Sequence, residues 1–133
     1  MEQLETVYLD KNVLISELYL KIFKYYLPLA TSKTIFFKEI SHIIYHRGRS
    51  IDVIWGASSD KLKDWFPFDE KRPGKKGYFE VVLKDKSIRP CFSPIDPERA
   101  FNILWTNHSE EGRKWKEQWL NSRQPVILLS ARA

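Results

Sequence analysis

Residues 13–29 read VLISELYLKIFKYYLPL, and two periodicities compete in them. Glu17, Lys21 and Lys24 stand near the spacing of one helical face, while Leu18, Leu20 and Ile22 alternate with Tyr19, Lys21 and Phe23 as in a strand. Composition decides between them. Ile, Val, Tyr and Phe lose side-chain freedom in a helix and suit a pleated surface, and Pro28 fits the exit of a strand. Two strands are therefore expected, parted near Ser16 and Glu17.

The flanking sequence extends the same pattern. Residues 4–9 alternate well enough for a short strand that ends in the polar turn of Asp10, Lys11 and Asn12. After a turn at 28–32, residues 33–37 resume the extended pattern, bend at Lys38 and Glu39, and continue through Ile40, Ile43 and Ile44. A turn at 46–50 precedes IDVIW at 51–55, which alternates as a further strand closed by Gly56. Residues 78–83 and 87–92 form a hairpin candidate joined by Lys84, Asp85 and Lys86. Pro90 lacks an amide hydrogen, so its strand should be an edge or carry a bulge. Between these elements, residues 57–77 make a long irregular stretch with the cluster Trp65, Phe66, Pro67 and Phe68, and loops of that length are usually functional or partly helical.

The C-terminal part changes character. Asp96, Pro97 and Glu98 form a helix start, because an acidic cap accepts free amides, proline suits the first turn, and a second acid favours the positive helix end. Ala100, Phe101, Leu104 and Trp105 supply its apolar stripe. A second helix is expected from about 110 to 121, with Trp115, Trp119 and Leu120 on one face. In the tail, 125–133, the uncharged run Val126 to Leu129 is β-prone and is expected to pair with a strand edge of its own chain or of a second copy.

Composition limits the functional classes. With 133 residues, 43% of them hydrophobic, the chain suits one domain with a real core. Its net charge of +5 is spread along the chain, so no segment has the one-signed field of a nucleic-acid binder, and nucleic acid is not an expected partner. Cys91 is the single cysteine, which excludes an intrachain disulfide, and its strand-like surroundings suit a buried structural thiol. No charged and apolar leader pattern opens the sequence, so an intracellular, cytoplasmic location is expected, and the apolar runs are too broken by charge for a transmembrane segment.

The stretch LYLKIFKYYLPLATSKTIFFKEISHI at 18–43 and CFSPIDPERAFNIL at 91–104 together resemble the bacterial-type pleckstrin-homology-like domains. The first is similar to that family's long strand, turn and isoleucine-rich strand. The second is similar to its final strand running into a capped helix. The resemblance covers about residues 4–104 and implies an antiparallel open barrel with a helix packed across its mouth. A meander with one amphipathic helix must hide an apolar sheet face, and curling the sheet around the helix does so. The expectation is a mainly β single domain over 1–133: a barrel at about 4–93, helices at about 97–106 and 110–121, and an extended tail.

Chemistry-bearing motifs are sparse. There is no glycine-rich phosphate loop, no nucleophile elbow and no His-Glu-x-x-His, and the acids near 60–70 lie among lysines, so neither catalysis nor a cofactor is expected. His42 and His46 lie four apart on an expected strand, too far apart for a shared metal. Lys71, Arg72, Lys75 and Lys76 surround a Pro-Gly turn beside Trp65, a candidate contact for anionic lipid or phosphate, although Asp64, Asp69 and Glu70 can neutralise much of it. Trp65, Trp115, Trp119, Val126 and Leu128 are candidate interface residues. A non-catalytic domain acting through a protein partner or as a homodimer is the expected role, with peripheral binding to anionic membrane lipid through 71–76 as the alternative.

Overall fold

A computed structural model describes residues 6–49, 51–57, 63–75, 77–108 and 126–129. The deciding stretch is extended. Strand β1 (Thr6–Leu9) pairs antiparallel with β2 (Val13–Ser16), β2 with β3 (Tyr19–Tyr26), and β3 with β4 (Thr31–Phe36), giving a four-stranded meander. Both breaks have local causes. The Asp10 carboxylate accepts from the amides of Asn12 and Val13, at 2.6 and 2.9 Å. Ser16 Oγ accepts from the amide of Tyr19 and donates to its carbonyl, both at 3.1 Å, which turns the chain where the helical reading would have run on.

A one-turn 3-10 segment, Phe37–Glu39, carries the chain from β4 into β5 (Ile40–Arg47) and a second sheet. The remaining strands are β6 (Gly56–Ala57), β7 (Asp64–Phe66), β8 (Gly77–Leu83), β9 (Arg89–Phe92) and β10 (Val126–Leu129), and the order across this sheet is β10-β5-β8-β9-β7-β6. Helix α1 (Pro97–His108) follows β9, with the Asp96 carboxylate accepting from the Arg99 amide at 3.1 Å. The fold is mainly β, and its two sheets do not close into a barrel.

One aromatic column organises the core. Tyr45, Phe79 and Phe92 are register partners on β5, β8 and β9, so their rings fall on one face and stack at 4.5 and 5.0 Å. Phe101 of α1 stacks on Tyr45 at 5.1 Å, and Ala100, Leu104 and Trp105 are buried beside it, the stripe expected from the sequence. Val13, Ile15, Leu20, Ile22 and Ile35 complete the core from the first sheet. Gly77 sits at φ +146°, and a Cβ there would lie 3.3 Å from Pro97 and from the Tyr45 ring, so only glycine lets β8 start this close to the helix.

Several expectations are corrected. Residues 51–55 form no strand: the carbonyls of Val53 and Ile54 accept from Arg72, and that of Ile54 also from the Asp69 amide, so the backbone is committed elsewhere. The stretch 57–77 contains β7, paired parallel with β9, so the strands are not all antiparallel. The strand bearing Pro90 is interior. Arg89 donates its amide to Lys63 on the β7 side, so the proline nitrogen faces β8, which pairs with β9 at Phe92 and Cys91. The second helix expected at 110–121, with Trp115 and Trp119, lies outside the described residues. The run Val126–Leu129, by contrast, pairs as expected with an edge of its own chain: it is strand β10, antiparallel to β5.

Candidate functional site

Near its end β3 carries a bulge. The β3–β4 register shifts between Ile22 and Tyr26, and Lys24 adopts φ +55°, which turns Tyr25 inward and leaves Tyr26 outside. The Lys24 carbonyl accepts from the Phe68 amide at 2.9 Å, fastening the bulge to the segment after β7. That contact draws the two sheets together around a cleft of about 470 Å³. Tyr25, Tyr26 and Leu27 form one wall; Trp55, Trp65 and Ile88 form the other.

The walls are built mainly from ring contacts. Tyr25 and Tyr26 meet edge to face at 5.0 Å, as do Trp55 and Trp65 at 5.3 Å, and the Trp55 indole donates to the Tyr25 carbonyl at 3.4 Å. Burial pushes the Tyr25 phenol up from its ordinary value, so its hydroxyl stays protonated well into the alkaline range. Tyr26, Trp55 and Ile88 are each more than 40% exposed, a large apolar display for so short a perimeter. The one charge in the described lining is Lys33, whose ammonium lies 3.2 Å from the Tyr26 hydroxyl and 5.6 and 5.7 Å from the two tyrosine ring centroids. Aromatic faces, aliphatic surface and one cation suit recognition of an apolar group carrying a negative charge.

The basic loop is arranged differently from its appearance in the sequence. Arg72 is 1% exposed: its guanidinium donates to Ser93 Oγ at 3.1 Å and to the carbonyls of Val53 and Ile54 at 2.9 and 3.2 Å, and it lies over the Phe66 ring at 5.0 Å. Burial lowers it to about 10, against the pull of Asp69, so it keeps its charge at neutral pH. Lys75 pairs with Asp69 at 2.5 Å and donates to the Ser93 carbonyl. Lys71 is exposed, and Lys76 lies outside the described residues. The loop thus does not gather these cations on one outer surface.

One further group of polar residues centres on a buried acid. Glu80 is fully buried and accepts from Arg89 at 2.5 Å, while its other oxygen bonds His46 Nε2 at 2.9 Å. His46 stacks on Tyr78 at 4.3 Å. His42 instead has its Nδ1 beside Ser41 Oγ, so the two histidines of β5 have separate partners. Cys91 is buried against Phe66 and Tyr78.

Of the residues singled out in the sequence, Trp65 lies in the cleft. Trp115 and Trp119 are outside the described residues, as are the side chains of Val126 and Leu128. Tyr25, Tyr26, Lys33, Trp55 and Ile88 were not singled out. Tyr25, Tyr26 and Trp55 gave a faint signal, aromatics beside Pro28 and Gly56, where a turn can leave rings away from a core, and Lys33 and Ile88 gave none. Among the described residues, no helix is long and apolar enough to cross a membrane. Comparison of the chain with protein-family models, curated proteins and solved structures returned no match.

Proposed function

We propose that this chain is a non-catalytic binding domain of pleckstrin-homology-like architecture that docks a protein partner at the aromatic cleft. The observation that carries the reading is the cleft itself, with Tyr26, Trp55 and Ile88 exposed around a concave floor. Exposed aromatics in a concave site are typical anchors of protein interfaces, whereas isolated surface apolar residues need no explanation. The mainly β meander with a helix packed against it supports the architectural half of the reading. A lipid-surface role would draw on a loop whose Arg72 and Lys75 are held inside by Ser93 and Asp69, so the cleft is the better-supported surface.

Selection from a phage-displayed random peptide library tests this. Binders of the wild type should lose about tenfold or more in affinity on Ile88→Glu, because a charge placed at the rim meets desolvation on docking. Ile88 is 45% exposed, so the variant should melt at an unchanged temperature. Binders that ignore Ile88→Glu, or no binders at all, would remove the cleft as the working surface. Light scattering at several concentrations tests self-association separately.

A further inference from the structure

The cleft does not end at Lys33. The same side chain also borders a second hollow of about 190 Å³, between β4 and the β8–β9 hairpin, reached by Glu39, Leu83 and Lys86. The two hollows meet along β4, the terminal strand of its sheet. The open seam between the sheets therefore follows an unpaired strand edge.

The direction of the β4 backbone groups follows from two bonds. The Phe37 amide donates to Leu18 on the β3 side, and the Phe36 amide donates away from β3 to the Glu39 carboxylate at 3.3 Å. Amides along a strand alternate in direction, so Thr34 and Ser32 present N–H and C=O outward, where no described strand pairs with them. Side chains alternate too. Lys33 falls on the face of buried Ile35, which turns it into the seam, and among the described residues its ammonium has no carboxylate partner.

We propose that the β4 edge takes an extended partner segment as an added strand, with an apolar anchor in the aromatic cleft and a carboxylate against Lys33. Main-chain bonds to Ser32 and Thr34 hold the segment, and its seam-facing side chains supply the selectivity. The period of two puts the acidic residue and the anchor on one face at an even spacing, the shortest being two positions, about 6.8 Å along the strand. This deepens the cleft reading above and rests on it.

The probe is the best binder from the random dodecapeptide library, made synthetically. Selected sequences should share an acidic residue an even number of positions from an aliphatic or aromatic one. Lys33→Glu should weaken that peptide by about tenfold and favour the version with lysine in place of the acid. Methylating one backbone nitrogen that faces β4 should abolish binding, while methylating its neighbour should not. If Ile88→Glu weakens binding but Lys33→Glu and N-methylation do not, strand addition is overturned and the cleft reading stands. If Ile88→Glu has no effect, both fall.

Discussion

A guanidinium is tolerated at the interior position of Arg72 because three acceptors meet it from two separate segments: Ser93 after β9, and Val53 and Ile54 before β6. Desolvating a charge is expensive, and only bonds made inside can offset it. Those bonds also explain why 51–55 is not a strand, since its carbonyls serve Arg72. Replacement by alanine orphans the acceptors and opens a void, so Arg72→Ala should cost roughly 3–5 kcal/mol. Lys71→Ala, next in the chain but exposed, should change stability by less than about 0.5 kcal/mol. Urea denaturation measures both, and equal costs would show that Arg72 is not a structural hub. The sequence concealed this role because KRPGKK reads as one basic patch, and nothing local reveals that Arg72 and Lys75 turn inward.

At the scale of elements, strand propensity was a good guide wherever the buried face was continuous. Val13, Ile15, Leu20 and Ile22 alternate inward, so β2 and β3 were legible once composition had set the helical spacing aside. β7 was not, because it is three residues long and is specified by its distant partner β9. The cleft was illegible for a similar reason: its walls come from β3, β4, β7 and three connecting segments. β10 lies at the opposite extreme, since an uncharged aliphatic run has to find an edge, and it finds β5 with Val126 opposite Tyr45 and Leu129 opposite His42. Ending the chain after Gln124 would remove four cross-strand pairs and bare the β5 edge. At about 0.2–1 kcal/mol each, their loss amounts to roughly 1–4 kcal/mol. The truncated chain should melt several degrees lower and exchange the amides of β5 faster. Unchanged melting and exchange would mean that β10 adds nothing to the sheet.

Considered whole, the molecule fastens an incompletely closed pair of sheets with phenols as well as with aliphatic packing. The Asp96 amide donates to the Tyr8 hydroxyl at 3.2 Å, which ties β1 to the start of α1, and Tyr45 donates to Glu98 at 3.3 Å, which ties α1 to β5. Tyr25 is buried in the main core, and Tyr78 in the smaller one with Phe66 and Cys91. Burial, foremost, raises all four phenols above their ordinary value of 10.0, with Asp10 adding to Tyr8 and Glu98 to Tyr45. The unfolded chain loses these protons near 10 while the folded chain keeps them, so above that pH the folded state holds more protons. The stability due to the phenols is complete below pH 10 and declines as pH climbs beyond it. Arg72 works with the opposite sign. Its folded value of about 10 lies below the ordinary guanidinium value, so its share rises with pH above about 10. Four phenols against one guanidinium leave a net fall. Urea midpoints measured between about pH 8 and about pH 11.5 should be level at first and then drop, with the slope of the transition unchanged. Tyr25→Phe keeps the ring and removes the proton, so it should flatten part of the drop. A wild-type midpoint that stays level to the top of the range would show that the phenols ionise without opening the fold.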